Sequence, residues 1–399
     1  MNLKRNNSKI LHIAVLGLRG FPEVQGGVEK HCQELYPRLT KYDCDIKVLA
    51  RKGYVRAYPY RYNGVKIIPL WAPKIKSLEA ICHTAFGIFW LSKHRKDYDI
   101  LHIHAIGPSL LAYAGKRLGF RIVVTNHGPD YDRQKWGRIA KGMLRLGEKI
   151  GARHAYQVIA VSNHIRNMLF EKYGAISIYI PNGVNIPELE PAGATLSDFN
   201  LEPGHYFLSV GRLVPEKGFH DLMGAFAKLD TGWKLVIVGD ADHEDRYSIN
   251  LKKRADKIDG IIMTGYQKGK ALKELYSNAG LFVLPSYHEG LPIVALEAIS
   301  YNLPILVSDI PANREVALPE ETFPVGDIKI LSKKLNNFLM NLSHLNSPEI
   351  LLEKKRRLET EFNWDLIAQQ TFDLYQTVAQ TPGIIVSDKT NITFNSTLS

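Results

Sequence analysis

Long apolar runs are missing from this 399-residue chain: nothing reaches the roughly 18 uninterrupted apolar residues that a membrane-spanning helix needs, so no spanning helix is expected. Cysteine is scarce. Cys32, Cys44 and Cys82 make an odd count without a C-x-x-C spacing, which argues against a disulfide framework or a cysteine zinc site and suits a reducing, cytoplasmic setting. There is no G-x-G-x-x-G, no RNP or zinc-finger pattern and no repeat of the solenoid kind, so a dinucleotide fold, a nucleic-acid partner and a repeat array each lack a motif. The first residues, basic at Lys4, Arg5 and Lys9 and apolar from Ile10 to Leu18, superficially look like a signal peptide. That run is short and leads into Arg19-Gly20-Phe21-Pro22-Glu23 with no small-residue cleavage site, so it is read as a first buried strand.

What is present is an ordinary globular composition, 45% hydrophobic and 23% charged, long enough for two domains of about 150 to 200 residues each. The charge is uneven. Residues 1–180 carry 30 Lys+Arg against 12 Asp+Glu, whereas 181–399 carry 21 against 28. In the basic half, 51–66 (RKGYVRAYPYRYNGVK) interleaves cations with tyrosines, and 78–91 (LEAICHTAFGIFWL) is an apolar helical candidate followed by Lys93, His94, Arg95 and Lys96. A basic, aromatic surface beside an apolar helix fits peripheral docking on an anionic membrane face. A buried helix ringed by solvated charges fits equally well.

Short Val/Ile/Leu-rich runs alternate with helical stretches. Strands are expected at 10–16, 44–50, 100–103, 121–125, 157–161 and 176–180, then at 206–210, 233–238, 260–263, 281–285 and 304–308. Continuous apolar character means parallel strands buried on both faces, so the expected class is α/β, two parallel sheets in series. The break falls in the polar stretch Pro187 to Gly204, giving one domain over 1–187 and a second over 188–361. A helical run follows over 362–378. The tail, 381–399, loses periodicity and is expected to be mobile; its sequons at Asn391 and Asn395 carry no meaning in the cytosol.

Each half opens with a strand feeding a turn suited to an anion. In VLGLRGFPEVQGGVEKHCQELYPRL, Gly17, Gly20, Gly26 and Gly27 lie between the strand and a helix starting near Val28, where glycines let backbone N–H groups approach a phosphate. In SVGRLVPEKGFHDLMGAF, Arg212 and Lys217 share a loop after a strand, and two such cations can neutralise a diphosphate without metal. EGLPIVALEA then sets Glu289 and Glu297 eight positions apart, Pro292 suiting the first helical turn. At helical rise that is about 12 Å, a spacing for two ends of one extended ligand and not for a shared proton. Free amides and the positive helix end lie between them.

GRLVPEKG, EGLPIVALEA about 70 residues later and the N-terminal GGVE loop, in this order, resemble the retaining GT-B glycosyltransferases of family 4. The segments LGLRGFPEVQGGVEKHCQELYPRL, NHGPDYDRQKWG and IPNGV resemble that family's bacterial polysaccharide branch, which holds rhamnosyltransferases. The resemblance runs to about residue 378. It implies two Rossmann-like domains facing across a cleft, with a last helix over 362–380 crossing back to the first domain and a hinge that opens and closes the cleft.

By the same resemblance, the donor is a nucleotide-sugar. Glu289 holds donor-sugar hydroxyls, Glu297 accepts from the ribose hydroxyls, and Arg212 and Lys217 stabilise charge on the leaving diphosphate. Gly26 and Gly27, with the amides of Gly290, Leu291 and Ile293, complete the anion site, and His127 reaches the transferring sugar. Asp130 is a candidate for orienting the acceptor or its proton. No D-x-D stands where a metal would bridge the phosphates, although Asp240-Ala241-Asp242 follows a strand, so no metal and no cofactor are expected. The implied activity is transfer to a growing surface polysaccharide or to a polyprenyl-diphosphate-linked or oligosaccharide acceptor, on the cytoplasmic side and peripheral to the inner membrane. Competing readings are another GT-B enzyme, such as a sugar-nucleotide epimerase or a soluble glucan- or sucrose-type synthase, and a non-catalytic basic binder of membrane surface.

Overall fold

The computed structural model describes residues 10–73, 79–132, 137–242, 244–341 and 348–380; the expected mobile tail, the basic N-terminal residues and both sequons lie outside them. Eight strands, β1 (Leu11–Leu16), β2 (Cys44–Arg51), β3 (Tyr60–Tyr62), β4 (Val65–Leu70), β5 (Ile100–His104), β6 (Arg121–Asn126), β7 (Gln157–Ala160) and β8 (Ser177–Tyr179), form one sheet in the order β3-β4-β2-β1-β5-β6-β7-β8. Six more, β9 (Tyr206–Val210), β10 (Lys234–Val238), β11 (Ile261–Gly265), β12 (Leu281–Leu284), β13 (Ile305–Ser308) and β14 (Thr322–Phe323), form a second in the order β11-β10-β9-β12-β13-β14. Among the described residues every pairing is parallel except β3 with β4.

Alternation along the strands explains why both sheets are covered on both faces. In β1, Ile13 and Val15 enter one core and Ala14 and Leu16 the opposite one. In β10, Leu235 and Ile237 face one layer of helices while Val236 and Val238 face the other. Covered on both faces, the central strands are apolar at most positions, which is why these segments read as nearly continuous runs.

The hairpin β3–β4 departs from expectation, because the composition of 51–66 predicts a basic, aromatic surface. Asn63 and Gly64 take φ of 44° and 88°, the left-handed pair of a two-residue hairpin turn, and fold Tyr60–Tyr62 back on Val65–Leu70. Val65 and Ile67 become fully buried beside β2. The Asn-Gly signal is present in the sequence, masked by the density of cations around it.

The last helix, Trp364–Gln380, lies against the first, Gly27–Leu39. Trp364, Ile367, Leu374 and Tyr375 enter the same core as Cys32, Leu35, Tyr36 and Leu39; truncating Trp364 there would cost roughly 3–5 kcal/mol. Where the chain returns to this core it meets the segment by which it left: the Val184 amide donates to the Phe362 carbonyl (2.7 Å), and Val184 pairs with Asn363 in an isolated parallel bridge.

Strand order fixes where a ligand belongs. β1 is flanked by β2 and β5, and β9 by β10 and β12, so the crossovers diverge at the carboxyl ends of β1 and β9. Such divergence opens a crevice in a doubly wound sheet.

Candidate active site

The loops leaving β9 and β12 are built together. The Tyr287 amide donates to the Glu216 carbonyl (2.8 Å), tying the β12 loop to the 3-10 turn Pro215–Lys217. That turn ends at Gly218, φ 67°, where a Cβ would lie 2.1 Å from the Pro285 carbonyl oxygen, so only glycine fits. The result is contact between two candidates: Lys217 Nζ stands 2.5 Å from Glu289 Oε1, which also accepts from Ser286 Oγ at 2.6 Å. Pro292 caps the helix Ile293–Ser300, leaving Glu289 and Gly290 in the loop and Glu297 in its second turn.

The first sheet meets this surface from the other side. His127 and Gly128 follow β6, and a Cβ on Gly290 would stand 1.9 Å from the His127 carbonyl oxygen, while one on Gly128 would stand 3.2 Å from Gly290 Cα. Backbone therefore touches backbone across the cleft. Asn182 reinforces the contact, donating to the Leu291 carbonyl (3.1 Å) while its Oδ1 pairs with His31 Nδ1 (2.9 Å).

Arg212 is joined to the opposite domain through a carboxylate. Asp242 Oδ2 accepts from Arg212 at 2.9 Å and lies 2.9 Å from Arg19, whose remaining donors hold Glu29 and the Gln25 carbonyl. Burial alone would favour neutral groups here. The Arg19 charge nonetheless holds Glu29 below the ordinary carboxylate range, and Arg19 with Arg212 does the same for Asp242. Lys30 is raised against burial by the Glu297 and Glu34 charges, and burial raises Glu297 although Lys30 opposes it.

Of the remaining candidates, Gly26 is the N-cap of the first helix, and Gly27 opens it with nothing within 4 Å of where a Cβ would stand. Leu291 is buried and contributes backbone alone. Asp130 heads the 3-10 turn Asp130–Asp132, its amide donating to the Gly128 carbonyl (3.0 Å).

Behind His127 lies a set of imidazoles that sequence reasoning passed over. His104 Nδ1 lies 2.9 Å from His127 Nε2, and His104 Nε2 lies 2.5 Å from Tyr36 Oη. His102 Nδ1 lies 2.6 Å from Tyr375 Oη and His102 Nε2 lies 2.7 Å from Thr125 Oγ1. Burial pushes His31 down to about 4 and His102 to about 3, and takes His104 and His127 well below their ordinary value, each ring's neighbours adding repulsion in the last three. All four are neutral at physiological pH. His31, His104 and His127 offer ring nitrogens within 4.8 Å of one another. A cation seated among them would have to open the His104–His127 hydrogen bond, and His104 has no nitrogen to spare.

Comparison with known proteins identifies the family. Residues 25–187 match the family described as Glycosyltransferase Family 4, and 198–356 match Glycosyl transferases group 1, between them most of the chain. The chain belongs to the GT-B glycosyltransferases of family 4. It is 28% identical over 382 residues to a phosphatidyl-myo-inositol mannosyltransferase of Mycobacterium leprae, covering 90% of this chain and 94% of that one. Among solved structures, the sucrose-phosphate synthase of Thermosynechococcus elongatus shares the fold with a TM-score of 0.80 at 22% identity, over 92% and 99% of the two chains. HepE of Anabaena, in complex with UDP-glucose, superposes with a TM-score of 0.74 at 17% identity, over 92% and 100%. The glycosyltransferase fold expected from sequence, two Rossmann-like domains facing each other, is the one observed.

Sequence reasoning missed Arg19, Asp242, Lys30 and the Tyr36–His104 pair in this glycosyltransferase. A signal existed for two of them. Arg19 sits inside the glycine-rich loop, and His102 and His104 are polar residues alternating within an otherwise apolar strand, a pattern that requires a buried partner.

Proposed function

We propose that this glycosyltransferase moves a sugar from a nucleotide-sugar, with retention at the anomeric carbon and without metal, onto a lipid-linked saccharide at the cytoplasmic membrane face, extending a surface polysaccharide. The observation that carries this reading is the Glu289–Lys217 contact at the mouth of the Ile293–Ser300 helix, apposed to the His127-Gly128 backbone of the other domain. In this reading the donor diphosphate lies against Arg212, Lys217 and the amides of Gly290, Leu291 and Ile293, with Gly26 and Gly27 closing over it. Donor-sugar hydroxyls draw Glu289 from Lys217, His127 reaches the same sugar, and Glu297 accepts from the ribose.

No carboxylate other than Glu289 is assigned to the sugar, which favours front-face displacement over a covalent glycosyl-enzyme. The bond from the anomeric carbon to the phosphate oxygen breaks as the acceptor oxygen bonds on the same face. The acceptor proton passes to the departing phosphate, whose charge the two cations and the helix amides stabilise. Asp130, just beyond Gly128, is the candidate for orienting the acceptor. Among family members, the polysaccharide branch containing rhamnosyltransferases remains the favoured resemblance for donor and acceptor.

Support for a membrane-bound acceptor comes from the helix Arg138–His154. Ile139, Met143 and Leu146, spaced along one face, are 83%, 37% and 48% exposed, and Arg138, Lys141, Arg145 and Lys149 flank them. In the same domain, Phe89 is exposed under Lys93, and an open apolar trough of about 340 Å³ runs between Ala85, Ile88, Phe89, Leu111 and Leu118. A basic amphipathic face of this kind lies in the plane of an anionic bilayer. No helix among the described residues is long and apolar enough to cross a membrane.

The test is transfer of labelled sugar from UDP-, GDP- and dTDP-sugars into a lipid extract of the source membranes, wild type beside Glu289→Ala. Label entering lipid from one donor and lost in the variant supports the reading. Nucleotide binding without transfer to lipid from any donor would replace it with an epimerase or a soluble-acceptor synthase, and no nucleotide binding would leave only a surface binder.

A further inference from the structure

A neutral imidazole carries one N–H and one lone pair, so a ring hydrogen-bonded at both nitrogens must accept on one side and donate on the other. His104 is such a ring, with Tyr36 Oη at its Nε2 (2.5 Å) and His127 Nε2 at its Nδ1 (2.9 Å). A phenol is a stronger proton donor than a neutral imidazole N–H, so the short contact is an O–H donating to nitrogen. His104 is then protonated at Nδ1, donates to His127 Nε2, and leaves His127 its proton at Nδ1. The neighbouring ring, His102, has Tyr375 Oη at its Nδ1 (2.6 Å) and Thr125 Oγ1 at its Nε2 (2.7 Å). Tyr36 Oη also lies 3.2 Å from His102 Nδ1; with its proton committed to His104 the phenol oxygen can only accept there, so His102 carries its proton at Nδ1. Burial keeps all these rings uncharged, and the polarity cannot be reset by protonation near neutral pH.

We infer that Tyr36, acting through His104, fixes His127 in the Nδ1–H tautomer, so that His127 meets the transferring sugar as a hydrogen-bond donor and has no free lone pair with which to act as a base. This rests on the proposed contact between His127 and the sugar. Tyr36 and His104 are positioning residues: they lie in the buried core of the first domain and act on the sugar only through His127. Proton transfer from the acceptor is thereby left to the departing phosphate, as front-face displacement requires.

The experiment is side-chain 15N NMR of the histidine-labelled full-length protein, with His127 assigned by comparison with His127→Asn. Wild type is expected to show His127 protonated at Nδ1, with and without a nucleoside diphosphate. Tyr36→Phe removes one hydroxyl and frees His104 to reverse, so His127 should gain Nε2–H character and kcat should fall about tenfold, the effect of one lost hydrogen bond, with donor KM within about twofold. His104→Asn, whose amide nitrogen takes the place of Nδ1 and donates, should hold the His127 tautomer and retain more activity than His104→Leu. An Nε2–H tautomer in wild type, or one unmoved by Tyr36→Phe, overturns the inference, and the wild-type spectrum alone suffices for this even where a variant fails to fold. A fully active His127→Ala would instead overturn the proposed sugar contact, an outcome the tautomer measurement cannot mimic.

Discussion

Replacing Gly290 with alanine should separate closure of the cleft from folding of the domains. The new Cβ would stand 1.9 Å from the His127 carbonyl oxygen and 2.7 Å from its carbon, both backbone atoms, where ordinary contact begins at 3.4 Å. Gly290 is not among the residues with left-handed φ, so alanine is locally tolerated and neither sheet is strained. The loops must therefore part by about 1.5 Å, the shortfall in that contact. Misplacing catalytic groups by about 1 Å costs on the order of a hundredfold. The expected result is a kcat/KM for sugar transfer lower by about 100-fold, with a thermal midpoint within about 2 °C of wild type. Activity within about threefold of wild type would refute the premise that turnover requires these two backbones to touch. Gly128→Ala is the poorer probe, because φ of 122° adds local strain to the same collision.

Turnover in EDTA should equal that without it, since Arg212 and Lys217 are assigned the charge a metal would carry; loss that magnesium restores would contradict this. Stability should be lost in acid. Folded, His31 titrates at about 4, His102 at about 3, and His104 and His127 well below their ordinary value, whereas each titrates near 6.5 unfolded. Below about pH 6.5 the unfolded chain therefore binds more protons, and each ring withdraws up to about 1.4 kcal/mol per pH unit. Urea midpoints measured from about pH 7 to 5 should fall steeply, and a flat profile would mean the rings are not held neutral. Lys354→Met should lower the thermal midpoint by about 10 °C, because it strands the buried Glu321 carboxylate that Lys354 pairs with, a loss of about 3–5 kcal/mol. An unchanged midpoint would show that carboxylate to be protonated or solvated.

Much of the fold could be read from local pattern. The central strands of both sheets announce themselves because a parallel strand covered on both faces is apolar at most positions, and β9, expected at 206–210, is found there. The hairpin at the margin of the first sheet is harder: β3 and β4 rest on an Asn-Gly turn and two buried aliphatics, Val65 and Ile67, amid cations that dominate the composition. In the candidate site, residues borne on one loop are legible, as with Glu289 and the turn carrying Lys217. Contacts that depend on how two domains meet are not. Nothing local to Arg19 announces Asp242, and nothing in β5 shows that His102 will find a tyrosine 273 positions away. Alternating histidines in an apolar strand say only that partners must exist.

The crossing at Val184 and Asn363 has a mechanical consequence. Two covalent links join the domains, and they run side by side, hydrogen-bonded to each other where they pass. One flexible link would permit sliding, twisting and bending alike. Two links pinned together at one place suppress translation and torsion and leave chiefly one degree of freedom, a swing about the line through the pin. Along that swing the displacement grows with distance from the pin, so a change of a few degrees there is felt most at the far rim of the cleft.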